Sequence, residues 1–282
     1  MSEWNRPLAD VLRIEPRGED AFRALLPGFG GVTLGCATLA AARSCEDKHL
    51  HSLHTYFFRP VPTDRPVDLV VERVRDGRRF SHRRVQVRDT GKTCCELVAS
   101  FAAAASGQEY QELHLSADVP QPEELPTEEE IARREGWRSD EPGPLGGALE
   151  WRWIGGTPWD PTTTRGNSAY RAWVRPRHAL PDDPALHAAA MAFLSDYHSH
   201  MSVARKLGGP FEPFPYTSLD QVLWLHREVR WDDWWLIHTE SHVAHAGRAL
   251  SRRLLQARDG RLVASMVQEQ LIPERTPVCA EC

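Results

Sequence analysis

The sequence predicts an α+β protein made of two similar modules, in each of which an antiparallel sheet wraps around one central helix. A weak internal repeat is the first observation that indicates this. Each half of the chain presents, in the same order, a Ser-Leu pair, an Arg-Arg pair, a glycine turn and a final apolar strand. The second observation is a helical segment that precedes these strands in each half.

The repeat is carried by three pairs of segments. They are HSLHTYFFRP and TSLDQVLWLH, RRVQVRDTGK and RRLLQARDGR, and TCCELVASFA and LVASMVQEQL. The second segment of each half ends in a glycine turn, at 89–92 and at 258–261. Glycine takes positive φ without strain, so both turns are predicted to be hairpin loops.

Each half places one helix before its strands. The first is predicted at 31–44, in the small-residue segment GVTLGCATLAAARS, and the pair Gly30 and Gly31 marks its start. The second is predicted at 184–207, and its stretch 188–194 is apolar all round, so it should be buried on most sides. A buried helix followed by antiparallel strands, twice over, favours a sheet that curls around a central helix.

The chain divides into an N-terminal module at 1–105, an acidic linker at 106–146 and a C-terminal module at 147–282. The linker is rich in Pro and Glu, which are typical of connecting segments. Within it, a Thr-x-x-Glu capping box predicts a short helix at 127–135.

Composition excludes several classes of protein. The chain has 282 residues, 41% of them hydrophobic and 26% charged, which suits a folded protein of two modules. Its formal net charge of −5 argues against nucleic acid as a partner. The first ten residues lack the apolar core of a signal peptide, and no apolar run reaches the length of a membrane span. We therefore expect a cytoplasmic protein without membrane contact.

The sequence motifs of serine hydrolases, phosphate-binding loops and metal sites are absent or incomplete. The sequence has no G-x-S-x-G elbow and no H-E-x-x-H pair, and the phosphate-loop pattern fails before Gly91-Lys92-Thr93. The histidines at 238, 242 and 245 and the pair Cys279 and Cys282 are weak metal patterns, because a structural zinc site needs four ligands. Core or exposed histidines and a frayed tail explain them more simply. We expect neither a metal nor a cofactor.

Asp196 stands out because it is a carboxylate within the predicted buried helix. A charge at such a place is costly unless it is paired or hydrogen-bonded. From the residues alone, an Asp that ends or caps a helix is the commoner account. Ser218 and Gln268 are, on the same basis, ordinary strand residues.

Six separated motifs resemble the acyl-CoA thioesterase II family, in that family's order. They are LPGFGGVTLGCATLAA (26–41), LHSLHTYFFRP (50–60), DGRRFSHRRVQVRDTGK (76–92), LSDYH (194–198), TSLDQVLWLH (217–226) and LVASMVQEQ (262–270). The resemblance implies a double hotdog, two antiparallel sheets each wrapped around a central helix. It also implies an enzyme that hydrolyses acyl-CoA to a free acid and CoA.

The resemblance further implies which residues act. The family's trio of Asp, Thr or Ser, and Gln falls on Asp196, Ser218 and Gln268, and Ser218 keeps the hydroxyl of the more usual Thr. The carboxylate would accept a proton from a water molecule that the other two residues hold. The backbone N–H groups of Gly30 and Gly31, at a helix start, are candidates for stabilising the oxyanion.

Three more residues are candidates for substrate binding. In the first repeat, His54 takes the position that Asp220 has in the second, and it could line the cleft between the modules. Arg79 and Arg83 belong to a basic run in an acidic protein and could meet the phosphates of CoA. A strand histidine satisfied by a neighbour and a solvated strand face are the alternatives.

Other functions stay open at this point. The chain could release an acyl group from a carrier protein, or bind acyl ligands as a hotdog without catalysis. A hotdog dehydratase would need a His–Asp pair, for which the sequence has no clear motif. Hotdog sheets expose edges and faces that pair, so we expect a homo-oligomer, most simply a dimer.

Overall fold

The structure, a computed structural model, describes residues 6–45, 47–135, 147–158, 160, 167–207 and 216–272. The helices are α1 Leu8–Val11, α2 Gly30–Arg43, α3 Glu128–Glu135, α4 Pro184–Asp196 and α5 Met201–Leu207. The strands of the first half are β1 Glu15–Gly18, β2 Ala21–Ala24, β3 His49–Phe57, β4 Val67–Asp76, β5 Phe80–Asp89 and β6 Lys92–Ala102. Those of the second half are β7 Leu149–Ile154, β8 Tyr170–Pro176, β9 Thr217–Leu225, β10 Trp235–His245, β11 Arg248–Ala257 and β12 Leu262–Leu271. Within these ranges, no helix has both the length and the apolar character needed to cross a membrane.

The strands form one antiparallel sheet in the order β1-β2-β4-β5-β6-β3-β9-β12-β11-β10-β8-β7. The two halves join where β3 pairs with β9, with Ser52 opposite Trp224 and Tyr56 opposite Asp220. The two predicted sheets are therefore the halves of a single continuous sheet. The first half packs on α2 and the second holds α4, which confirms the predicted double hotdog.

Helices α2 and α4 pack directly against each other inside the sheet. A Cβ on Gly31 would lie 2.7 Å from the carbonyl oxygen of Phe193, and a Cβ on Gly35 would lie 3.1 Å from that of Ala189. Two glycines one turn apart therefore let the two helix backbones approach closely. The small residues of the first helix are a requirement of this contact.

The second central helix is shorter than predicted. Helix α4 ends at Asp196 and α5 begins at Met201, and between them His198 has φ 58°, in the left-handed region. The prediction of one helix at 184–207 was wrong at this turn. Tyr197 and Val203 are both buried. The helical spacing of apolar residues therefore continues across the turn, and the sequence pattern does not reveal where the helix ends.

The segment between the modules packs on the outer face of the second half of the sheet. Trp173 donates from Nε1 to the carbonyl oxygen of Pro120 at 2.8 Å. The predicted capping box is present at the start of α3, where the amide of Glu130 donates to Thr127 Oγ1 at 3.0 Å and the amide of Thr127 donates to the Glu130 carboxylate at 2.8 Å. The short helix is confirmed, while the module bounds 1–105, 106–146 and 147–282 stay a prediction.

A buried arginine closes the C-terminal end of each central helix. Arg83 of β5 donates from Nη2 to the carbonyl oxygen of Ser44, directly after α2, at 2.9 Å. Arg253 of β11 donates from Nη1 to the carbonyl oxygens of Leu194 and Ser195, in the last turn of α4, at 3.3 and 3.4 Å. Both arginines are 2% exposed. Cations at this end satisfy unpaired carbonyls and oppose the negative end of the helix dipole.

We predict that Asp183→Ala lowers the free energy of unfolding by about 1 kcal/mol, because loss of an N-cap costs about 0.5–2 kcal/mol. The Asp183 carboxylate accepts from the amide of Ala185 at 3.0 Å and pairs with Arg43 at the end of α2, so it ties the two central helices together. Asp182→Ala is the matched control, since Asp182 pairs with Arg230 on the surface. Chemical denaturation measures both variants, and equal losses would contradict the prediction.

Candidate active site

The three residues of the predicted trio meet where the end of α4 faces the sheet. Asp196 is the last residue of α4 and is 5% exposed. Ser218 of β9 donates from Oγ to Asp196 Oδ1 at 3.0 Å. Gln268 of β12 donates from Nε2 to the same Oδ1 at 2.5 Å and to Ser218 Oγ at 2.7 Å. Two donors therefore converge on one oxygen of a buried carboxylate.

The second carboxylate oxygen of Asp196 faces the start of α2. A Cβ on Gly30 would lie 2.8 Å from Asp196 Oδ2 and 3.5 Å from the ring of Phe57 at the end of β3. Glycine at this position leaves the space beside Oδ2 open. The backbone N–H of Gly31 lowers the pKa of the Asp196 carboxyl, which is consistent with the positive end of the α2 dipole facing the carboxylate. The structure thus brings Gly30 and Gly31 to the trio.

A β-bulge turns Ser218 toward the trio. In the pairing of β12 with β9, Glu269 lies opposite Asp220 and Gln270 lies opposite Ser218, so Leu219 is the extra residue. Gln270 is buried on the inner face, and its partner Ser218 therefore points inward as well. Bulges commonly re-aim a side chain in this way. Strict alternation along β9 would have pointed Ser218 outward.

Burial raises the pKa of Asp196 above the usual range of an aspartate. The hydrogen bonds from Gln268 and Ser218, the charge of Arg253 and the N–H of Gly31 each lower that pKa, and together they offset only part of the effect of burial. A carboxylate with a raised pKa is a stronger base than an exposed one. The site therefore combines a fixed orientation with increased basicity.

Sequence reasoning missed the side chains that hold the trio in place. Gln270 donates from Nε2 to Gln268 Oε1 at 3.1 Å, which turns the amide nitrogen of Gln268 toward Asp196. Gln221 donates from Nε2 to Ser195 Oγ, next to Asp196 in the chain. All these polar residues are buried. The available signal was the spacing of two between Gln268 and Gln270, which places both on one face of a strand.

His54 does not lie with the trio, which corrects the prediction that it lines the cleft. Its side chain is exposed on the outer face of β3, while its neighbours Leu53 and Thr55 point inward. Its ring contacts Trp224 edge-on, with the centroids 5.8 Å apart. The strand register sets His54 opposite Val222.

Arg83 is likewise not available to CoA phosphates, and this part of the prediction was wrong. Its guanidinium is buried and donates to Ser44 and to Asp76 Oδ1, the latter at 2.8 Å. Arg79 is exposed in the turn between β4 and β5, where its carbonyl oxygen accepts from the amide of Ala103. This turn lies beside His49, at the opposite end of β3 from Phe57. At the rise of a β-strand, the two ends of β3 are about 26 Å apart.

The weak metal patterns do not converge in the described residues. His238 hydrogen-bonds to Gln256, and His242 pairs with Glu240. No group of three or more potential metal ligands forms within these ranges. Cys279 and Cys282 lie outside the described residues.

The first module carries different residues at the matching end of its own helix. Phe101 has in β6 the position that Gln268 has in β12, each lying opposite a buried serine of the neighbouring strand. Cys45 follows the end of α2, where Asp196 ends α4. Phe101, Cys45 and Lys48 line a cavity of about 220 Å³ there. In the described residues, the Asp-Ser-Gln arrangement is thus present at one end of the helix pair.

Two family models match the chain. The model for the acyl-CoA thioesterase N-terminal domain matches residues 27–102. The model for the acyl-CoA thioesterase C-terminal domain matches residues 122–272. The three residues of the trio fall in the second match, and the glycines at the start of α2 fall in the first.

Individual proteins are similar over nearly the whole chain. Human acyl-coenzyme A thioesterase 8 is 32% identical over 93% of this chain and 87% of its own length. Acyl-CoA thioesterase 2 of Haemophilus influenzae is 27% identical over 96% of this chain and 99% of its own. The crystal structure of an acyl-CoA thioesterase II from Mycobacterium marinum is 29% identical, with a TM-score of 0.78, and covers 96% of this chain and 98% of that one.

We predict that Asp196→Asn stabilises the fold at neutral pH, because it removes a buried charge and keeps an oxygen that accepts from Ser218 and Gln268. Each pH unit by which the pKa of Asp196 is raised corresponds to about 1.4 kcal/mol. The parent has its full stability below the ordinary aspartate pKa and loses it as pH rises through the raised pKa. The advantage of the variant in denaturation experiments should therefore grow over that interval. A variant less stable than the parent at neutral pH would contradict this account.

Proposed function

Because the chain belongs to the acyl-CoA thioesterase II family, we propose that Asp196, Ser218 and Gln268 carry out the hydrolysis of its thioester substrate. The chain is a thioester hydrolase that acts on acyl-CoA. One observation supports the assignment of residues above all others. Two hydrogen-bond donors converge on one oxygen of a buried carboxylate, and a glycine leaves open space beside the other oxygen.

A water molecule beside Asp196 Oδ2 is the nucleophile in this proposal. As the water oxygen bonds to the thioester carbonyl carbon, Asp196 accepts its proton, and the raised pKa of the carboxylate favours this transfer. Ser218 and Gln268 hold Oδ1, which prevents the carboxylate from rotating. Fixed orientation lowers the entropic part of the barrier.

The start of α2 stabilises the oxyanion that forms when water adds. The N–H of Gly31 lowers the pKa of Asp196, and the N–H of Gly30 is the candidate donor to the carbonyl oxygen. When the intermediate collapses, the carbon–sulfur bond breaks and the proton on Asp196 passes to the sulfur of CoA. A free acid and CoA thiol leave, and Asp196 is again a carboxylate.

Aromatic rings around the start of α2 favour an apolar acyl group. Phe29 lies edge-on to Phe193 and to Tyr197, with centroids 5.8 and 5.6 Å away, and Phe57 lies beside Gly30. Such rings provide large apolar contact areas. The acyl chain would meet these rings while its carbonyl carbon lies at the trio.

A location in the cytoplasm is also part of the proposal. Cys36, Cys45, Cys94 and Cys95 are free and buried. Burial raises the pKa of Cys36 to about 12, so this thiol stays protonated. Free cysteines in this number suit a reducing compartment.

We further propose that the chain forms homo-oligomers through the outer face of its central strands. Tyr56, Val98 and Trp224 lie on the adjacent strands β3, β6 and β9 and are 59%, 39% and 38% exposed. They surround His54 on the same face. Adjoining exposed apolar side chains commonly mark an interaction surface, and a second copy of this chain presents a matching one.

We predict that Asp196→Asn lowers kcat for acyl-CoA by about 10²- to 10⁴-fold, which is the usual contribution of a general base. Asp220→Asn, the same change on the strand that carries Ser218, is the control and should stay near the parent rate. Assays with matched acyl-CoA and acyl-carrier donors show whether CoA is the preferred carrier of the acyl group. An Asp196→Asn variant with parent activity would overturn the assignment.

We predict that Trp224→Glu reduces the oligomeric mass measured by light scattering, because it puts a charge into the proposed contact. Val243→Glu is the control, since Val243 is an exposed apolar residue that lies toward the end of β10, away from the proposed contact. A monomeric parent, or a Trp224→Glu variant with the parent's mass, would contradict the proposed interface.

A further inference from the structure

Asp196 occupies an unfavourable place for a negative charge. It is the last residue of α4, where the carbonyl groups of the final turn form the negative end of the helix dipole. It is also buried, which disfavours its charged form. A carboxylate that must act as a base here requires compensating positive charge.

Arg253 binds the backbone before Asp196 directly and the backbone after Asp196 through Tyr170. From Nη1 it donates to the carbonyl oxygens of Leu194 and Ser195, just before Asp196. From Nη2 it donates to the hydroxyl of Tyr170 at 3.1 Å. The Tyr170 hydroxyl donates in turn to the carbonyl oxygen of His198 at 2.7 Å, in the turn that follows Asp196. The left-handed φ of His198 is therefore held by this chain of bonds.

The two arginines that cap the central helices differ in their acidic partners. Arg83 pairs with Asp76 at 2.8 Å. In the described residues, Arg253 has no carboxylate oxygen within 4.0 Å of its guanidinium. A buried cation without an adjacent anion is costly, so Arg253 needs another reason to be where it is. The carboxylate whose pKa its charge lowers is that of Asp196.

We propose that Arg253 is a positioning residue for hydrolysis, which holds the end of α4 and supplies the buried positive charge that keeps Asp196 ionised as the base. This inference rests on the proposed role of Asp196. Arg253 acts through Asp196 and its backbone, and not on the substrate.

Among the groups that act on the charge of Asp196, Arg253 supplies the positive charge. These groups are Gly31 N–H of α2, Ser218 of β9, Gln268 of β12, Arg253 of β11 and Cys95 of β6. Tyr197, His198 and His200 follow Asp196 in the chain, in the turn before α5. Burial lowers the pKa of His200 to about 4 and lowers that of His198 strongly, so both rings are neutral at physiological pH. Burial raises the pKa values of Cys95 and Tyr197, which stay protonated.

The pH profile of kcat/KM tests the inference. We predict that Arg253→Met moves the acid limb of the profile upward by about 1 pH unit, the lower end of the effect of a nearby opposite charge. Arg83→Met is the matched control, because it removes an equally buried helix-capping arginine from an end that carries no trio. It should lose stability in the same way and leave the acid limb where the parent has it.

Two further variants separate charge from geometry and cover the case in which Arg253→Met does not fold. Arg253→Gln keeps a donor for the carbonyl oxygens and loses the charge, so its acid limb should move as in Arg253→Met. Arg253→Lys keeps the charge, so its limb should stay within a few tenths of a pH unit of the parent's, whatever stability it loses.

Two outcomes overturn two different statements. If the acid limbs of Arg253→Met and Arg253→Gln coincide with that of the parent, Arg253 is a structural cap alone and the inference fails. If Asp196→Asn keeps the parent's activity, the proposed role of Asp196 fails, and with it the basis for Arg253.

Discussion

A buried carboxylate at the end of a helix is the interaction on which the rest of the site depends. Asp196 has the negative end of α4 behind it and is 5% exposed, so its negative charge requires compensation from other elements. That compensation comes from the positive end of α2, from Ser218 and Gln268 on the sheet, and from Arg253 beneath the helix. The same burial that makes the charge costly makes it a better base.

The closeness of the two central helices brings these groups together. Gly31 and Gly35 allow α2 to approach α4, and this contact sets the start of α2 beside the end of α4. The first module therefore contributes the helix start, and the second contributes the carboxylate and its two donors. The pairing of β3 with β9 fixes the relative position of the modules, so the site exists only when both have folded and joined.

The architecture could be predicted from the sequence because it rests on local patterns. The repeat, the small-residue helix and the glycine turns were enough for the two modules, and the family motifs supplied the trio. The direction in which individual side chains point was harder to predict from the sequence. Arg83 was expected at CoA phosphates or on a solvated strand face, yet its guanidinium is buried and donates to the carbonyl oxygen of Ser44 at the end of α2. Ser218 reaches the trio through a bulge at Leu219, which strand alternation does not reveal.

The covalent fusion of the modules has a consequence for how their residues can change. In a pair of identical separate chains, the position of Phe101 and that of Gln268 would be encoded once, and any substitution would appear at both ends. In the fused chain each copy can vary alone. One end of the helix pair can carry a buried apolar side chain, as it does at Phe101, while the other end retains a costly charge. Fusion of the two modules thus lets the residues that stabilise the fold and the residues proposed for catalysis lie at different ends of the helix pair.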